Sequence, residues 1–511
     1  MIKGHASTEA TGDYAGRHEP VSFIPLGRTG LISSQAGFGG YRISTGVAHH
    51  EKALRTAIAS GINLIDTSAN YADGGSEKLV GQVLENLIAG GVVTREHIIV
   101  ISKVGYLQGQ NFALSQERKQ EGRPFPDLVE YGKGLEHCIH PELLEDQLTR
   151  SLDRLQLDTL DGYLLHNPEY YLGWAKETGK SLEEAREEYY HRIRNAFEHL
   201  EKEADSGRIR WYGISSNTFP SSTEDPEFTC LETVWNIAED ISPDHRFAIV
   251  QLPFNLLEAG AALEANQPGG ISTLSFAAEQ NLGVLINRPL NAFGTGRLLR
   301  LADLESTERL DTNEVIQKIR QLEKSETRLW KKVLDPLDIP DGLKVRIKQQ
   351  NEVGSYLKHY WKNFGSYENF RQTWKSMFLP RVQGVFDFLE PHAEKNEDLS
   401  RWISEHDSFM EEAFAAVGSI YVEEAASQLN HIGYAVNSAD PDWAKQGTLS
   451  QKAIRALRST AGVSTVLVGM RREAYVEDVL TELKRPVEQQ DRQESWAKLN
   501  QELEKEFHST V

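Results

Sequence analysis

Cysteine is nearly absent: in 511 residues the chain carries only Cys138 and Cys230. Two thiols cannot staple a disulfide-rich scaffold. No Cys-x-x-Cys pair exists for a zinc ribbon or an iron–sulfur cluster, so no metal is expected and a reducing compartment fits best. Long apolar runs are missing too. No stretch approaches the roughly 20 residues that span a bilayer, and the first 20 residues lack the apolar core of a secretory signal. The expectation is a soluble, cytoplasmic protein with no membrane partner. Basic clusters are the third absence. The 55 Lys and Arg against 75 Asp and Glu leave a formal charge of −20, with no basic block for a phosphate backbone, so no nucleic-acid partner is expected. The charge serves solubility.

What is present is a series of short apolar runs, several ending in groups that can move protons. Strands are predicted near Ser34–Phe38, Asn63–Asp66, Ile98–Lys103, Leu160–His166, Trp211–Ser215, Ala248–Leu252, Gly283–Asn287 and Thr465–Val468. Helical patterns follow them at His50–Ser60, Ser76–Ala89, Pro141–Leu155, Leu182–Ser206, Phe228–Asp240, Ile271–Gln280, Leu449–Ser459 and Arg472–Glu482. Strand then helix, eight times, reads as an α/β fold of the (β/α)8 TIM-barrel type. Ser76 is a candidate cap for the second helix. Phe23–Leu26 and Leu31–Ser33, flanking Gly27-Arg28-Thr29-Gly30, read as an N-terminal β-hairpin that closes one end of the barrel.

Such a barrel needs about 250 residues, so much of the chain is surplus. Segments of loop character follow Lys103 (Gly105–Gly134) and His166 (Asn167–Lys180), and the largest surplus follows the seventh strand. The division expected is a barrel over 1–300 and 449–485, a large helical insertion or cap over 301–448, and a charged helical tail over 486–511. Within the insertion Val315, Ile316, Ile319 and Leu322 recur at helical spacing, as do Val353, Tyr356, Leu357 and Tyr360, and Phe409, Phe414, Val417 and Tyr421. It also holds Trp330, Trp361, Trp374, Trp402 and Trp443 out of nine tryptophans. These suit an aromatic-cored subdomain, or a lid whose aromatics face a bulky or planar substrate.

Active sites of such barrels lie at the C-terminal ends of the strands. There the second, third and fourth strands deliver Asp66, Lys103 and His166, with Tyr71 five residues beyond the aspartate. A phenol is a poor acid at neutral pH, and an ammonium beside it stabilises phenolate and lowers its pKa. Lys103 is placed to do this, Asp66 to hold Lys103 charged, and His166 to hydrogen-bond a substrate oxygen. Such a set protonates the oxyanion formed when hydride reaches a carbonyl. Each residue alone has a bland reading as a turn cap or a satisfied structural group; their joint appearance on consecutive strand ends makes the catalytic reading specific.

At these residues the chain resembles the aldo-keto reductase family. Asp66-Thr67-Ser68-Ala69-Asn70-Tyr71 with Gly75-Ser76-Glu77 is similar to the family's first signature, and Ile101-Ser102-Lys103 to its catalytic-lysine strand. Arg210-Trp211-Tyr212-Gly213-Ile214-Ser215-Ser216-Asn217 resembles its fifth strand, and Leu467-Val468-Gly469-Met470-Arg471-Arg472 the turn after its eighth. The resemblance covers about Ile24–Arg300 and Leu449–Leu483.

It implies an NADPH-dependent reductase of aldehydes or ketones, or an alcohol dehydrogenase in reverse, with Tyr71 as general acid/base, Lys103 and Asp66 tuning it and His166 positioning the carbonyl. The implied cofactor is NADPH (NADP+) in preference to NADH. Its implied contacts are Gly40, Tyr41 and Asp66; Ser215, Ser216 and Gln251 as the carboxamide grip; Asn287, Pro289 and Leu290; Gly294, Gly296 and Arg297 near pyrophosphate; and Gly469, Arg471, Arg472, Tyr475 and Asp478 around the ribose phosphate and adenine. The partner implied is a small carbonyl or alcohol. Three positions depart from the family pattern. Asn287 stands where an aromatic residue commonly stacks on nicotinamide, Ser216 where Asn is frequent, and Val479 where an adenine-contacting Asn is common. Two other readings fit the same barrel: an NADP(H)-binding regulatory or scaffold subunit, and a sugar-modifying enzyme that uses the cofactor transiently.

Overall fold

The computed structural model describes residues 1–294, 297–304, 310–394 and 396–507. Its centre is a closed barrel of eight parallel strands: β1 (Ala36–Gly39), β2 (Leu64–Asp66), β3 (Ile99–Val104), β4 (Leu160–His166), β5 (Ile209–Ser215), β6 (Phe247–Pro253), β7 (Gly283–Asn287) and β8 (Thr465–Val468). Each strand pairs with the next and β8 pairs with β1, which closes the ring. β3, β4 and β6 are buried along their whole length, as a parallel strand covered on both faces must be.

The covering helices are α1 (Ala48–Ala59), α2 (Gly75–Ala89), α3 (Pro141–Leu155), α4 (Leu182–Asp205), α5 (Leu231–Ile241), α6 (Thr273–Glu279), α7 (Leu449–Arg458) and α8 (Glu473–Leu483). Pro141 opens α3, where its missing N–H costs nothing, and Leu143, Leu144, Leu148, Leu152 and Leu155 form the buried stripe. α2 starts differently from expectation. Gly74 is its N-cap and Ser76 does not cap it; the Ser76 hydroxyl instead donates to the Gly40 carbonyl at 2.9 Å and meets Thr67 Oγ1 at 2.8 Å.

The hairpin forms as predicted, Phe23–Pro25 antiparallel to Ile32–Ser34. Leu26 and Leu31 pack with Leu64, Ile99, Leu164, Leu285 and Leu467 of the barrel strands. At its turn Gly27 has φ of +50°, and a Cβ there would lie 2.3 Å from the Gly283 nitrogen at the start of β7. Only glycine allows the turn to press so closely on the strand. Beneath the same end, Arg95 and Asp161 form a buried ion pair at 2.8 Å. Asp161 also accepts the backbone N–H groups of Ala6 at 2.6 Å and Val100 at 2.7 Å, fixing the N-terminal segment to β3.

Three segments hold structure not expected from the sequence. Residues 105–134 are no plain loop. They contribute helix Gly109–Gln120 and most of a three-stranded antiparallel sheet of Tyr106–Leu107, Val129–Gly132 and Leu135–His137. Helix Tyr170–Glu177 fills most of the next segment, and helix Thr8–Arg17 precedes the hairpin.

The chain divides into two compact units, Met1–Leu290 with Ala435–Val511, and Asn291–Tyr434. The hairpin Asn291–Gly294/Arg297–Arg300 thus goes with the second unit, and Trp443 with the first. The second unit is helical as expected, with helices Thr312–Arg328, Asp341–Gln350, Val353–Tyr360, Tyr367–Thr373 and Leu379–Ala393 and much of Glu397–Ala439. Trp361 and Trp374 pack with Val315, Ile319, Leu357 and Val417 in one core, and Trp402 with Leu329, Leu389 and Leu399 in another. In the first unit the C-terminal helix Gln493–Phe507 buries Trp496, whose ring lies 4.8 Å from that of Trp443 and whose Nε1 donates to Thr460.

Candidate active site

The strand register sets the site. Asp66, His166, Ser215 and Asn287 are the last residues of their strands, and Lys103 and Gln251 lie within two residues of the ends of theirs. Ser215 stands level with both His166 and Gln251. The chain leaving β2 stays close to β3, because Thr67 N–H donates to the Ile101 carbonyl at 2.9 Å and Ala69 N–H to the Lys103 carbonyl at 3.3 Å. Beyond Tyr71 the backbone is forced into an uncommon turn, with Ala72 and Asp73 at φ of 49° and 53°. Such left-handed non-glycine residues carry strain. Here Asp73 Oδ1 accepts the Gln110 N–H at 2.9 Å, tying the turn to the following helix.

Lys103 is fully buried and uses all three ammonium protons. They go to the Asp66 carboxylate at 2.7 Å, the Thr67 carbonyl at 2.9 Å and the Tyr71 hydroxyl oxygen at 3.3 Å. Because lysine donates to the phenolic oxygen, the phenol's own proton is free for another acceptor. Asp66 also accepts from Gln251 Nε2 at 2.8 Å, and Gln251 Oε1 accepts from Ser215 Oγ at 3.1 Å. One hydrogen-bonded chain therefore joins Ser215, Gln251, Asp66, Lys103 and Tyr71.

The His166 ring lies edge-on to Tyr71 at 5.9 Å and to Tyr106 at 4.8 Å, with Nδ1 3.2 Å from Ser68 Oγ. Tyr41, 62% exposed, stands edge-on to Tyr71 at 5.2 Å. Gly40 is held against the end of β2: its N–H donates to the Asp66 carbonyl at 2.8 Å, and a Cβ there would come within 2.8 Å of that oxygen and of Ser76 Oγ.

Charge behaviour corrects one expectation. Burial, followed by the Asp66 carboxylate and Tyr41, holds the Tyr71 phenol well above its ordinary pKa rather than below it. Burial outweighs any help from the ammonium, and Lys103 lies nearer to the Asp66 carboxylate, at 2.7 Å, than to the phenolic oxygen, at 3.3 Å. Burial also lowers the Lys103 pKa, against the pull of Asp66. His166 falls well below its usual range through burial, then through the Lys103 charge and His137. The resting site is therefore a protonated phenol, an ion pair and a neutral imidazole.

The remaining predicted residues are dispersed more widely. Asn287 Oδ1 is buried with no hydrogen-bond partner among the described residues. Pro289 is buried after it, and Leu290 is half-buried. Ser216 N–H donates to the Gln251 carbonyl at 3.0 Å, and its hydroxyl lies 3.1 Å from Thr218 Oγ1. Gly469 is exposed after β8, Arg472 is the N-cap residue of α8, and Arg471 and Tyr475 are half-buried beside it. The Asp478 carboxylate accepts from Ser450 Oγ at 2.6 Å and Gln451 Nε2 at 2.8 Å at the start of α7. Gly294 and Arg297 pair across the hairpin of the second unit, while Gly296 lies outside the described residues.

Sequence reasoning missed three groups around His166. His137 Nε2 bonds the His166 carbonyl at 2.8 Å, and burial pushes its pKa down to about 4. Glu169 is buried, accepts the Asn217 N–H at 2.8 Å, and is pushed up to about 7 by burial. Asn167 Nδ2 donates to the Tyr106 hydroxyl at 2.7 Å. Glu169 lies within three residues of His166 and could have been flagged by proximity; His137, in a segment without apolar periodicity, offered no signal.

A family model described as "Aldo/keto reductase family" matches residues 36–331. The chain belongs to this family. Among curated relatives, the NADH-specific methylglyoxal reductase of Escherichia coli (strain K12) is 33% identical over 151 residues, 28% of this chain and 41% of that protein. The chain spans about half or less of the length of the curated relatives it matches. Among solved structures, an aldo-keto reductase from Klebsiella pneumoniae in complex with NADPH is 24% identical, with a TM-score of 0.33 over 53% of this chain and 68% of that one. A glycerol dehydrogenase from Gluconobacter oxydans is 15% identical and covers 95% of both chains with a TM-score of 0.45.

Proposed function

We propose that this aldo/keto reductase family member is a nicotinamide-dependent oxidoreductase that reduces an aldehyde or ketone to an alcohol, or runs the reverse, with Tyr71 as its proton donor. The observation that carries the reading is the contact of buried Lys103 with both Asp66 and Tyr71 at the strand end that also presents His166. A bound nicotinamide dinucleotide would supply hydride to the carbonyl carbon. As the C=O π pair collects on oxygen, Tyr71 gives its proton to that oxygen and Lys103 stabilises the phenolate left behind; solvent then returns the proton. His166 orients the carbonyl by a hydrogen bond, and Asp66 keeps Lys103 cationic despite its burial.

The residues suit such a cofactor. Gln251 and Ser215 offer donors and acceptors of the kind an amide needs, and Asn287 Oδ1 is a buried acceptor awaiting a donor. Arg471 and Arg472, at the start of α8, favour a ribose phosphate and hence NADPH. Gly40 and Tyr41 complete the contact surface beside Tyr71, and Tyr475 and Asp478 the adenine end. The E. coli relative is named NADH-specific, so both cofactors are to be compared. The test follows 340 nm absorbance with NADPH and with NADH over a panel of aldehydes and ketones that includes methylglyoxal. NADPH oxidation that requires a carbonyl is expected; absence of binding by either nucleotide overturns the reading.

A further inference from the structure

The backbone at the end of β5 is held from both neighbouring strands. Asn167 N–H donates to the Ser215 carbonyl at 2.7 Å, and Ser216 N–H to the Gln251 carbonyl at 3.0 Å, both main chain to main chain. The next amide, Asn217 N–H, instead has a side chain as its partner, Glu169 Oε1 at 2.8 Å. In the nicotinamide reading above, Ser215 and Ser216 belong to the carboxamide grip. Glu169 closes the bracket around them.

It is an uncommon group for that task. Glu169 is 2% exposed, and its second oxygen, Oε2, is buried with no hydrogen-bond partner among the described residues. It is the N-cap residue of helix Tyr170–Glu177, yet its side chain makes no capping bond. A carboxylate kept for capping or for an ion pair would use both oxygens, so a half-used buried one needs another reason. Burial pushes it up to about 7, against the N–H groups of Glu169 itself and of Asn217 and the Ser216 hydroxyl. Ionised, it takes the Asn217 proton in a charge-assisted bond; protonated, in a weaker neutral one. The titratable groups facing it are Glu227 from the segment before α5, Tyr189 from α4 and Tyr106 from the short strand after β3. Burial holds both phenols well above their ordinary values, which leaves half-buried Glu227 as the neighbour whose charge Glu169 feels.

We propose that Glu169 is a positioning residue for the nicotinamide grip: its carboxylate holds Asn217 N–H, and through it the Ser215–Ser216 backbone, in the form that binds the dinucleotide. The proposal rests on the nicotinamide-dependent reading for its consequence. Binding then favours the ionised carboxylate, so by linkage affinity rises with pH as Glu169 loses its proton. The effect belongs to nucleotide affinity, since Glu169 touches none of Asp66, Lys103 and Tyr71 by hydrogen bond.

The test has two arms, both on the full chain. In the first, the Asn217 amide is followed by NMR in protein labelled with 15N-asparagine, its signal being identified by its loss in Asn217→Ser. It should move with pH around neutrality and stand still in Glu169→Gln. Glu227→Gln should lower the midpoint, because a like charge is removed. In the second, NADPH dissociation constants are read by fluorescence at about pH 6 and about pH 8.5, either side of the carboxyl's transition. Glu169→Gln keeps an acceptor but cannot ionise, and it shares any titration of the nucleotide itself. The affinity of wild type relative to this variant should therefore rise about fivefold between the two pH values, the difference between a charge-assisted and a neutral hydrogen bond. Glu169→Ala, with no acceptor, should bind at least about tenfold more weakly than wild type at the higher pH. A wild-type Asn217 amide indifferent to pH, or a relative affinity that does not change with pH, overturns the proposal. Absence of nucleotide binding by wild type overturns the nicotinamide reading instead, and the Asn217 amide then still reports whether the carboxylate holds that bond.

Discussion

Lys103 and Asp66 form a pair whose members cannot be removed independently. Both are buried, and taking away the lysine leaves a carboxylate that, among the described residues, has only Gln251 Nε2 to answer it. Lys103→Met should therefore lose stability as well as turnover, by about 3–5 kcal/mol on the scale of a broken buried ion pair; urea unfolding checks this. Glu169 gives a pH signature. Its folded pKa of about 7 lies above its ordinary value, so the unfolded chain gives up this proton from about pH 4.5 upward while the folded chain keeps it, and stability falls as pH rises through that window. Glu169→Gln removes this loss. The variant should gain on wild type by about 1–3 kcal/mol in going from about pH 5 to about pH 7.5, read from urea midpoints at the two pH values. Residue identities at the strand ends were legible because Asp66, Lys103 and His166 each terminate an apolar run. The direction of the Tyr71 shift was not, since it depends first on the burial of the phenol and then on the nearby Asp66 carboxylate, which spacing along a chain does not encode. His137 was equally hidden, visible only through its bond to the His166 carbonyl.

At the scale of elements, the contact of β1 with the end of β2 depends on Gly40. A methyl group there would meet the Asp66 carbonyl and Ser76 Oγ at 2.8 Å, and overpacking of that kind costs about 1–3 kcal/mol. Gly40→Ala should lower the urea midpoint and weaken nucleotide binding together; unchanged binding with lowered stability would separate Gly40 from the site. Barrel strands and helices could be read because their apolar periods are long and their ends are marked, as with Pro141 at the start of α3. Helix Gly109–Gln120 could not, because it buries polar Asn111 and Ser115. Helix Thr8–Arg17 buries only Thr11 and Tyr14, and the strands beside Tyr106 are two to four residues long. Elements held by tertiary contacts leave little trace in local pattern.

For the whole molecule, the surplus over a plain barrel resolves into a second unit with its own aromatic cores. The tryptophan count already marked it: Trp361, Trp374 and Trp402 fill those cores, whereas Trp443 serves the first unit beside Trp496. Where the unit ends was less visible, because the helix Glu397–Ala439 continues past Tyr434 without a break. The central claim concerns the first unit, that a phenol held protonated at the barrel's strand ends gives its proton to a carbonyl oxygen. The most direct measurement sets Tyr71→Phe against wild type in two assays, NADPH binding by fluorescence and carbonyl-dependent NADPH oxidation at 340 nm. The substitution should lower turnover by about 10²–10⁴-fold, the usual worth of a general acid, and leave binding within about twofold, since it removes a hydroxyl and no cofactor-holding group. Turnover unchanged by the loss of that hydroxyl would contradict the account.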